Sequence, residues 1–532
     1  MKWKLLKKIR VWVSLLFFVC TLFIFLDFTF SLAFQFFSTI LYLQFVPSLF
    51  KFINLISFSA VGFIFVVIIT LFFGRVYCSS VCPLGTLQDI ISNISKRGRR
   101  EKRLFKYLKP NSWIKYSILI ITLILISSGS ILLVNLLDPY SLFGKISLNL
   151  FRPPVIWINN FLVGIFESFD QYILYRVEVK HYNPLSITFS LLMLGFILWL
   201  SLKKGRLYCN TVCPVGTVLG IISKISLYRI SISEIACTQC GVCSYVCKAG
   251  CIDYENSKLD VSRCISCFNC MIVCPENGIT YNRIGSNKPE KKTDPVKRQF
   301  LYNSLLLAAG ILGFSKLVSG QDKPKLDSIP IYKPKPGLAT TIPEDKKFHV
   351  TAPGSLSIDH FKAYCTACHL CVAVCPNQVL QPSFLEFGLS GIMQPRMDYH
   401  TAYCNYDCIR CTEVCPSGAI LPVTTDDKKK IQIGKVVFIK DNCIVVTENT
   451  ACGACSEHCP TKSVQMVPYE KGHHIPEVDT EICVGCGACE FACPTLPYKA
   501  IFVNGNDIHL TAKVIEASDE IKEVYLEEDF PF

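Results

Sequence analysis

The chain has 532 residues, enough for several domains, and is 51% hydrophobic with a mean hydropathy of +0.38. Residues 1–320 carry 35 Lys and Arg against 14 Asp and Glu, and residues 321–532 carry 19 against 27, which gives the net charge of +13. A basic half rich in apolar runs favours a membrane protein over a nucleic-acid-binding protein. Because 24 of the 30 cysteines fall into six sets of four, metal binding is a better interpretation than a disulfide scaffold.

Apolar runs in residues 1–228 predict a helical membrane domain, with spans over 11–28, 53–73, 113–137 and 186–202. Polar residues and prolines interrupt the segments 31–50 and 151–185, so we expect these outside, with an interfacial helix over 155–166. Basic residues at 2–10, 96–109 and 203–206 place the N-terminus in the cytoplasm. A cleaved signal peptide is the alternative for the first span, but no small-residue cleavage site follows it.

Two copies of the motif G-R-x-Y-C-x3-C-P-x-G follow the second and fourth spans. They contain Cys78 with Cys82 and Cys209 with Cys213, and 209 − 78 and 213 − 82 both equal 131. Two converging copies would supply four thiolates at the cytoplasmic end of the helices, enough for a further metal or cluster. Two redox-active dithiols, or packing at helix ends, are the alternatives.

A dicluster ferredoxin domain is predicted over residues 229–285, because two C-x2-C-x2-C-x3-C motifs follow each other there. In this pattern the fourth cysteine of each motif ligates the other motif's [4Fe–4S] cluster. One predicted cluster is therefore held by Cys237, Cys240, Cys243 and Cys274, and the other by Cys264, Cys267, Cys270 and Cys247. Zinc sites do not need this spacing. The remaining thiols, Cys20 and Cys251, are expected to be packed and inert.

Residues 286–345 are predicted to be a connecting segment. It holds basic residues over 288–298, a marginal fifth span over 300–318, and a Pro/Lys-rich linker over 321–345. The junction K-R-Q-F-L at 297–301 is close to a twin-arginine export signal, and an ordinary stop-transfer flank is the alternative.

Four more cluster sets predict a four-cluster ferredoxin domain over residues 346–532, and a proline follows the last cysteine of each. The motif Cys365-Thr-Ala-Cys368-His369 also matches a haem attachment pattern, but a haem would leave the other two cysteines of that set unused. The spacing leaves the pairing of ligands between the four motifs open. The sets are Cys365, Cys368, Cys371 and Cys375; Cys404, Cys408, Cys411 and Cys415; Cys443, Cys452, Cys455 and Cys459; and Cys483, Cys486, Cys489 and Cys493.

The portion 1–285, with its paired C-x3-C-P motifs and dicluster stretch, resembles the NapH/MauN family of membrane ferredoxin-type proteins. The portion 295–532 resembles the NapG/MauM family, as if two partners had been fused. The resemblance implies quinol oxidation, with electrons passed from the quinone pool to a periplasmic redox partner protein, a reductase or a cytochrome. Residues 1–285 also resemble CcoG-type proteins, so an assembly or metal-handling factor is the alternative function.

The predicted protein is therefore a multi-pass protein of a bacterial inner membrane, with an α-helical membrane domain and α+β ferredoxin-like domains. Its cofactors are six [4Fe–4S] clusters, and it serves as the electron-transfer component of a quinol dehydrogenase-type system. We expect the dicluster domain in the cytoplasm and the C-terminal domain in the periplasm. A hydrocarbon core of ~30 Å separates these faces, so a diffusing quinone is the expected bridge.

Overall fold

The computed structural model describes residues 2–27, 40–55, 61–97, 105, 107–109, 112–179, 183–283 and 341–513. Residues 1–282 and 341–532 belong to one compact unit. The predicted fifth span, the twin-arginine-like junction and most of the linker lie outside the described residues.

The N-terminal part is helical. Among its described residues, the helices Trp3–Leu26 and Pro184–Lys204 are long and apolar enough to cross a membrane, whereas four other apolar helices have 10–17 residues. Predicted spans one and four are thus single helices, and the five-span count stays a prediction. The helices are α1 (Lys2–Leu26), α2 (Phe45–Leu55), α3 (Gly62–Phe73), α4 (Val76–Ser80), α5 (Pro83–Arg97), α6 (Ser112–Ser127), α7 (Leu132–Leu137), α8 (Pro139–Ile146), α9 (Arg152–Glu167), α10 (Pro184–Lys204), α11 (Leu207–Thr211) and α12 (Pro214–Ser223).

The third predicted span is not one continuous helix, which corrects the sequence-based expectation. Helix α6 ends at Ser127, and the chain turns at Gly129, whose φ of +80° favours glycine. The hydroxyls of Ser127 and Ser128 donate to carbonyls of the preceding turn, and α7 then starts at Leu132. The interfacial helix expected over 155–166 is present as α9, preceded by one π-helical turn at Ser147–Phe151.

Helix α5 runs antiparallel to α1. The hydroxyls of Ser14 and Thr86 lie 2.7 Å apart, and Arg10 Nη1 lies 3.7 Å from Asp89 Oδ2. Moving forward along α5 therefore means moving backward along α1. Gly74 lies beside Ser266 of the dicluster part, and α5 also contacts α8, whose Phe143 packs against Phe18 and Phe25 toward the other end of α1. We call the segment from Gly74 to Arg97 re-entrant, because it passes into the helical part and then turns back along α1.

The ferredoxin-like parts contain short helices and two-stranded sheets, which pair as β1–β4, β2–β3, β5–β6, β7–β10 and β8–β9. The last four pairs are antiparallel, and β7–β10 contains an irregularity between Gly505 and Leu510. The elements are β1 (Tyr228–Ile232), α13 (Val242–Tyr245), β2 (Ile252–Asp253), β3 (Lys258–Leu259), α14 (Asn269–Val273), β4 (Ile279–Arg283), α15 (Ile358–Tyr364), α16 (Leu370–Ala373), β5 (Leu380–Pro382), β6 (Pro395–Met397), α17 (Arg410–Glu413), α18 (Thr425–Lys430), β7 (Ile431–Phe438), α19 (Ile444–Thr447), α20 (Ala454–Glu457), β8 (Val464–Pro468), β9 (His474–Val478), α21 (Ala488–Ala492) and β10 (Ile501–Thr511).

The two ferredoxin-like parts contact different ends of the helical part. Near the start of α11, the Arg206 amide donates to the carbonyl of Lys248 at 2.9 Å, which ties the dicluster part to the helices. The C-terminal part instead meets the loops at the other end of α1. There Arg152 donates to the carbonyl of Ala373 at 2.7 Å, and Asn54 donates to the carbonyl of Gly418 at 2.9 Å.

Candidate metal centres

The dicluster motifs bring their cysteines together in the predicted exchanged pairing. Cys243 lies close enough to Cys237, Cys240 and Cys274 for their charges to interact, a relation that we describe as within electrostatic range. We call these four residues site 1. Cys270 lies in the same way near Cys247, Cys264 and Cys267, and these four are site 2. Each site therefore takes three thiols from one motif and the fourth from the other.

The C-terminal motifs follow the same rule, which settles the spatial grouping that their spacing left open. In each of four groups, three cysteines of one motif lie near the last cysteine of the neighbouring motif. The groups are site 3 (Cys365, Cys368, Cys371 and Cys415), site 4 (Cys375, Cys404, Cys408 and Cys411), site 5 (Cys443, Cys452, Cys455 and Cys493) and site 6 (Cys459, Cys483, Cys486 and Cys489).

The cysteine groups are wider than a single-ion site. A tetrahedral zinc ion with Zn–S bonds of ~2.3 Å places its sulfurs only about 3.8 Å apart. Across the described ranges, the one group of three or more His, Cys, Asp or Glu side chains with ligand atoms within 4.8 Å of one another is Glu344, His400 and Glu490. That group already holds a cation, because the Lys346 ammonium contacts both glutamates. The open spacing of the thiols suits a cluster rather than one zinc ion.

Cys251 is packed as predicted, with 2% of its surface exposed, but it lies against site 2. Its sulfur is 3.5 Å from the sulfur of Cys247, and it also bonds to Cys264. These bonds raise the pKa of Cys251 well above its ordinary value, and lower the pKa of Cys247 to about 7. Cys251 is thus a thiol donor to two predicted ligands, a role that its sequence position does not reveal.

His369 has no haem-ligand geometry. Its side chain is 1% exposed, and its Nε2 lies 2.7 Å from the carbonyl of Met393. The cysteines beside it, Cys365 and Cys368, belong to site 3. The buried histidine therefore supports the loop around site 3.

The two C-x3-C-P motifs converge. Cys213 lies within electrostatic range of Cys78, Cys82 and Cys209, and Cys82 lies within range of Cys78 and Cys209. All four thiols are buried. The four cysteines of the two motifs therefore lie together, as expected. We call these four residues the four-thiol site.

An arginine from each repeat crosses to the other repeat. Arg75 donates to the carbonyl of Cys209 at 3.1 Å, and Arg206 donates to the carbonyl of Cys78. The glycine in each C-P-x-G sequence makes room for this crossing. A Cβ atom on Gly85 would lie 2.5 Å from the Cys78 carbonyl oxygen, and one on Gly216 would lie 2.1 Å from the Cys209 carbonyl oxygen. The motif thus encodes a reciprocal contact between the two halves of the repeat.

Each sulfur of the four-thiol site accepts a hydrogen bond. Arg75 donates to Cys78 at 3.7 Å and Gln88 donates to Cys209 at 3.4 Å. The amides of Gly85 and Gly216 donate to Cys82 and Cys213. The second cysteine of each motif also precedes the proline that starts α5 or α12, so the positive ends of two helix dipoles face the thiols. These donors offset part of the cost of burying charged thiolates, which burial and the neighbouring thiols otherwise oppose.

Buried cations separate the four-thiol site from site 2. Arg10, Arg75, Arg206 and Lys248 are each at most 7% exposed, and together with Asp89 they form what we call the basic layer. Arg206 Nε donates to Asp89 Oδ1 at 2.8 Å, and Lys248 lies 3.1 Å from Asp89 Oδ2. Burial alone would raise the pKa of Asp89, but its cationic neighbours hold that pKa well below the ordinary 3.8.

Arg75 has no carboxylate partner in the described part of the chain. Its Nη1 donates to Asn210 Oδ1 at 2.8 Å and to the carbonyl of Ser262 at 2.9 Å, and its Nε has no hydrogen-bond partner there. A buried guanidinium is costly unless a negative charge balances it. Four cysteine thiolates holding an iron–sulfur centre would supply that charge, so the residues of the four-thiol site fit such a group.

On the side of the four-thiol site away from the basic layer lie three buried tyrosines. Tyr77 and Tyr208 are within electrostatic range of the thiols, and both are within range of Asp138. Tyr140 is within range of Tyr77, of Asp138 and of Cys368 in site 3. Packed protein therefore connects the four-thiol site to the C-terminal part.

Comparisons with known families agree with these groups. A family described as "4Fe-4S binding domain" matches residues 56–101 and 186–232, the two halves of the repeat. A family described as "4Fe-4S dicluster domain" matches residues 364–419 and 450–496. The chain thus contains ferredoxin-like 4Fe–4S domains.

Three related proteins are similar at low identity. An uncharacterised protein of Methanocaldococcus jannaschii is 23% identical over 228 residues, which is 42% of this chain and 71% of that protein. The methylamine utilization ferredoxin-type protein MauM of Methylophilus methylotrophus is 32% identical over 141 residues, 25% of this chain and 61% of its own. The putative electron transport protein YccM of Escherichia coli K12 is 24% identical over 260 residues, 48% of this chain and 62% of its own.

No solved structure matches the chain. The similarity to ferredoxin-type proteins supports an iron–sulfur electron-transfer role. The finer resemblance of the first 285 residues to NapH/MauN or CcoG proteins stays a prediction.

We expect Asp89→Asn to destabilise the protein by about 3–5 kcal/mol, because it leaves the buried cations of the basic layer without their carboxylate. The measurement is thermal unfolding of the purified protein in detergent, with the exposed Asp170→Asn as the matched control. Because the pKa of Asp89 is depressed, its contribution is fully present above pH ~4 and is lost as the pH falls below that value. A melting temperature equal to that of the control would contradict this account.

We expect Cys251→Ala to lower the midpoint potential of the cluster at site 2. The substitution removes thiol hydrogen bonds to Cys247 and Cys264, and such bonds favour the reduced, more negative cluster. An EPR-monitored redox titration measures the shift, with Cys20→Ala on α1 as the control. An unshifted site 2 signal would refute a tuning role for Cys251.

Proposed function

We propose that this chain is a membrane-bound polyferredoxin that oxidises a quinol and delivers electrons to a redox partner protein. The observation that carries the proposal is the serial arrangement of the cysteine groups. Cys270 of site 2 lies near Cys243 of site 1, Cys371 of site 3 lies near Cys411 of site 4, and Cys486 of site 6 lies near Cys404 of site 4. Neighbouring groups at this proximity form a chain of one-electron carriers.

Exposed apolar side chains support the membrane location. Trp12 and Leu16 on α1 are 71% and 61% exposed, and Leu192 on α10 is 69% exposed. Trp157 and Phe161 on α9 are also largely exposed and stack on each other. Apolar surface of this extent fits a lipid environment, with the aromatic rings of α9 at an interface. The bacterial inner membrane, with the C-terminal part on its periplasmic side, is the topology that we propose.

A cavity of about 490 Å³ beside the basic layer is the site that we propose for the quinol. Apolar and aromatic side chains such as Leu108, Tyr116 and Val212 form part of its wall, and the rest is polar, with Asp260 and the cations Lys109, Lys115, Lys204, Lys224 and Arg263. The apolar part suits a quinol ring, and the polar groups can bind its hydroxyl oxygens. Asn210 and Ser262 also line it, and both accept hydrogen bonds from Arg75, which donates to Cys78.

Oxidation of one quinol yields one quinone, two protons and two electrons. Each cluster accepts one electron, so the two electrons leave the cavity in succession. On the proposed periplasmic side, Cys408 of site 4 and Cys452 of site 5 are only partly buried, and a periplasmic redox partner protein can approach the C-terminal part there.

The cluster count is testable by composition. We expect about 24 iron and 24 sulfide per chain from sites 1–6, since each four-cysteine set holds four iron atoms, before any contribution from the four-thiol site. Elemental analysis of anaerobically purified protein measures both. Iron near eight per chain, or stoichiometric zinc, would overturn the assignment of the C-terminal sites.

We expect Ser112→Trp to fill the cavity and to raise the half-saturating quinol concentration about tenfold, which corresponds to about 1.4 kcal/mol. The measurement is the rate of quinol-dependent cluster reduction in detergent, followed by absorbance. Reduction by dithionite should be unchanged, because it does not need the cavity. Phe169→Trp, at an exposed position, is the control. Equal quinol dependence in both variants would rule out this cavity as the quinol site.

A further inference from the structure

The four-thiol site lies between the two ferredoxin-like parts, and we propose that it is the step by which electrons cross the membrane directly. Its thiols hold an iron–sulfur centre that links site 2 to site 3, so that no diffusing quinone is needed as a bridge. This inference rests on the proposed membrane location and electron-transfer role, and it replaces the bridge expected from the sequence.

Helix α1 extends from site 2 to site 3, so its length measures the distance between them. Near its N-terminal end, Arg10 lies within electrostatic range of Cys267 in site 2. Near its other end, Phe25 and the carbonyl of Cys368 in site 3 both border Gly144. The fifteen residues from Arg10 to Phe25 correspond to about 22 Å along the helix axis. Electron tunnelling falls steeply with distance, so a step of this length without an intermediate centre would be slow.

The four-thiol site lies between site 2 and site 3 and divides this distance into two shorter steps. Ser14, four residues after Arg10 on α1, contacts Thr86, and Thr86 in turn donates to the carbonyl of Cys82 at 3.3 Å. At the same time, α5 reaches α8, which packs beside site 3 through Gly144. The re-entrant course of the chain thus places the thiols within the depth of the helical part. The sequence had instead predicted a position at its cytoplasmic end.

The connection toward site 2 runs through the basic layer. Arg75 bonds to Cys78 and lies within electrostatic range of Cys264, and Lys248 lies within range of Cys267. Arg75 therefore faces both the four-thiol site and site 2, and Lys248 contacts the same layer through Asp89. These cations compensate negative charge on whichever of the two groups holds the electron.

The connection toward site 3 runs through buried polar groups. The Tyr208 hydroxyl donates to the carbonyl of Leu137 at 2.8 Å, next to Asp138. The Ser141 amide donates to Asp138 at 2.8 Å, and Tyr140 lies within electrostatic range of Cys368. Tyr208, Asp138, Tyr140 and Ser141 are each at most 2% exposed. Tightly packed, water-excluding protein is a better tunnelling medium than a water-filled or lipid-filled space.

The test uses the full chain in vesicles of synthetic, quinone-free phosphatidylcholine. Ferricyanide is sealed inside, and a chemically reduced small ferredoxin, which cannot cross the bilayer, is added outside. Each external ferredoxin loses one electron, and each electron reduces one internal ferricyanide to ferrocyanide, whichever way the chain is inserted. We expect the wild-type chain to bleach the ferricyanide without quinone, whereas protein-free vesicles do not.

Cys78→Ser, Cys209→Ser and the double variant should each reduce this transfer to the protein-free level, because ligands of one centre act as a unit. Each should also lose only the iron that exceeds the amount from sites 1–6, and only the corresponding EPR signal. Cys20→Ser, which changes an α1 thiol outside every group, should transfer normally. The EPR signals of sites 1–6 in each variant show that the rest of the chain has folded.

Transfer by the wild-type chain that requires added quinone would overturn the proposal, even if a cysteine variant fails to fold. Variants that transfer as fast as the wild type, or single variants with multiplying partial defects, would also overturn it. The donor is a ferredoxin and not a quinol. A failure of transfer across the vesicle membrane is therefore distinct from a failure of quinol oxidation, which is measured separately as the rate of cluster reduction in detergent.

Discussion

The centre of this molecule depends on two buried arginines that cross between the halves of a repeat. Arg75 and Arg206 each bond to a cysteine carbonyl of the other half, and the glycines of the C-P-x-G sequences leave space for them. Asp89 balances one of the two guanidinium charges. The other faces thiols, and an iron–sulfur centre at the four-thiol site, as we propose, would supply the negative charge that completes the layer. Assembly of the helical part and occupancy of that site would then be linked.

The same linkage holds in the ferredoxin-like parts, because every group there takes one ligand from a second motif. Site 4, for example, combines Cys375 from one loop with three cysteines that follow Tyr403. A cluster at such a site closes a loop between distant segments, which offsets the small apolar cores of two-stranded sheets. The fold and the cofactors are thus mutually dependent, and the order of the sites along the chain becomes an order in space.

Much of this organisation could be predicted from spacing alone. The C-x2-C-x2-C-x3-C pattern fixes which thiols reach one centre, and the observed grouping of Cys237–Cys274 agrees with it. Spacing could not resolve the C-terminal pairing, where the C-x3-C and C-x8-C openings depart from the pattern. Hydropathy predicted 113–137 as one span, because hydropathy does not detect a backbone turn such as the one at Gly129. The contact between Cys251 and Cys247, and the depth of the four-thiol site, depend on tertiary packing that no local pattern encodes.

Buried lysines beside the cysteine groups would compensate the negative charge of clusters in a low-dielectric interior. A buried lysine accompanies four of the six sites: Lys248 beside site 2, Lys145 beside site 3, Lys428 beside site 4, and Lys499 bonded to a ligand carbonyl of site 5. All four are at most 8% exposed. Site 1, in contrast, includes the exposed Cys240, where water can stabilise the charge. Because each cation is fixed before an electron arrives, little reorganisation is needed when a neighbouring cluster is reduced. The lysines therefore do for sites 2 to 5 what solvent does for the exposed site 1.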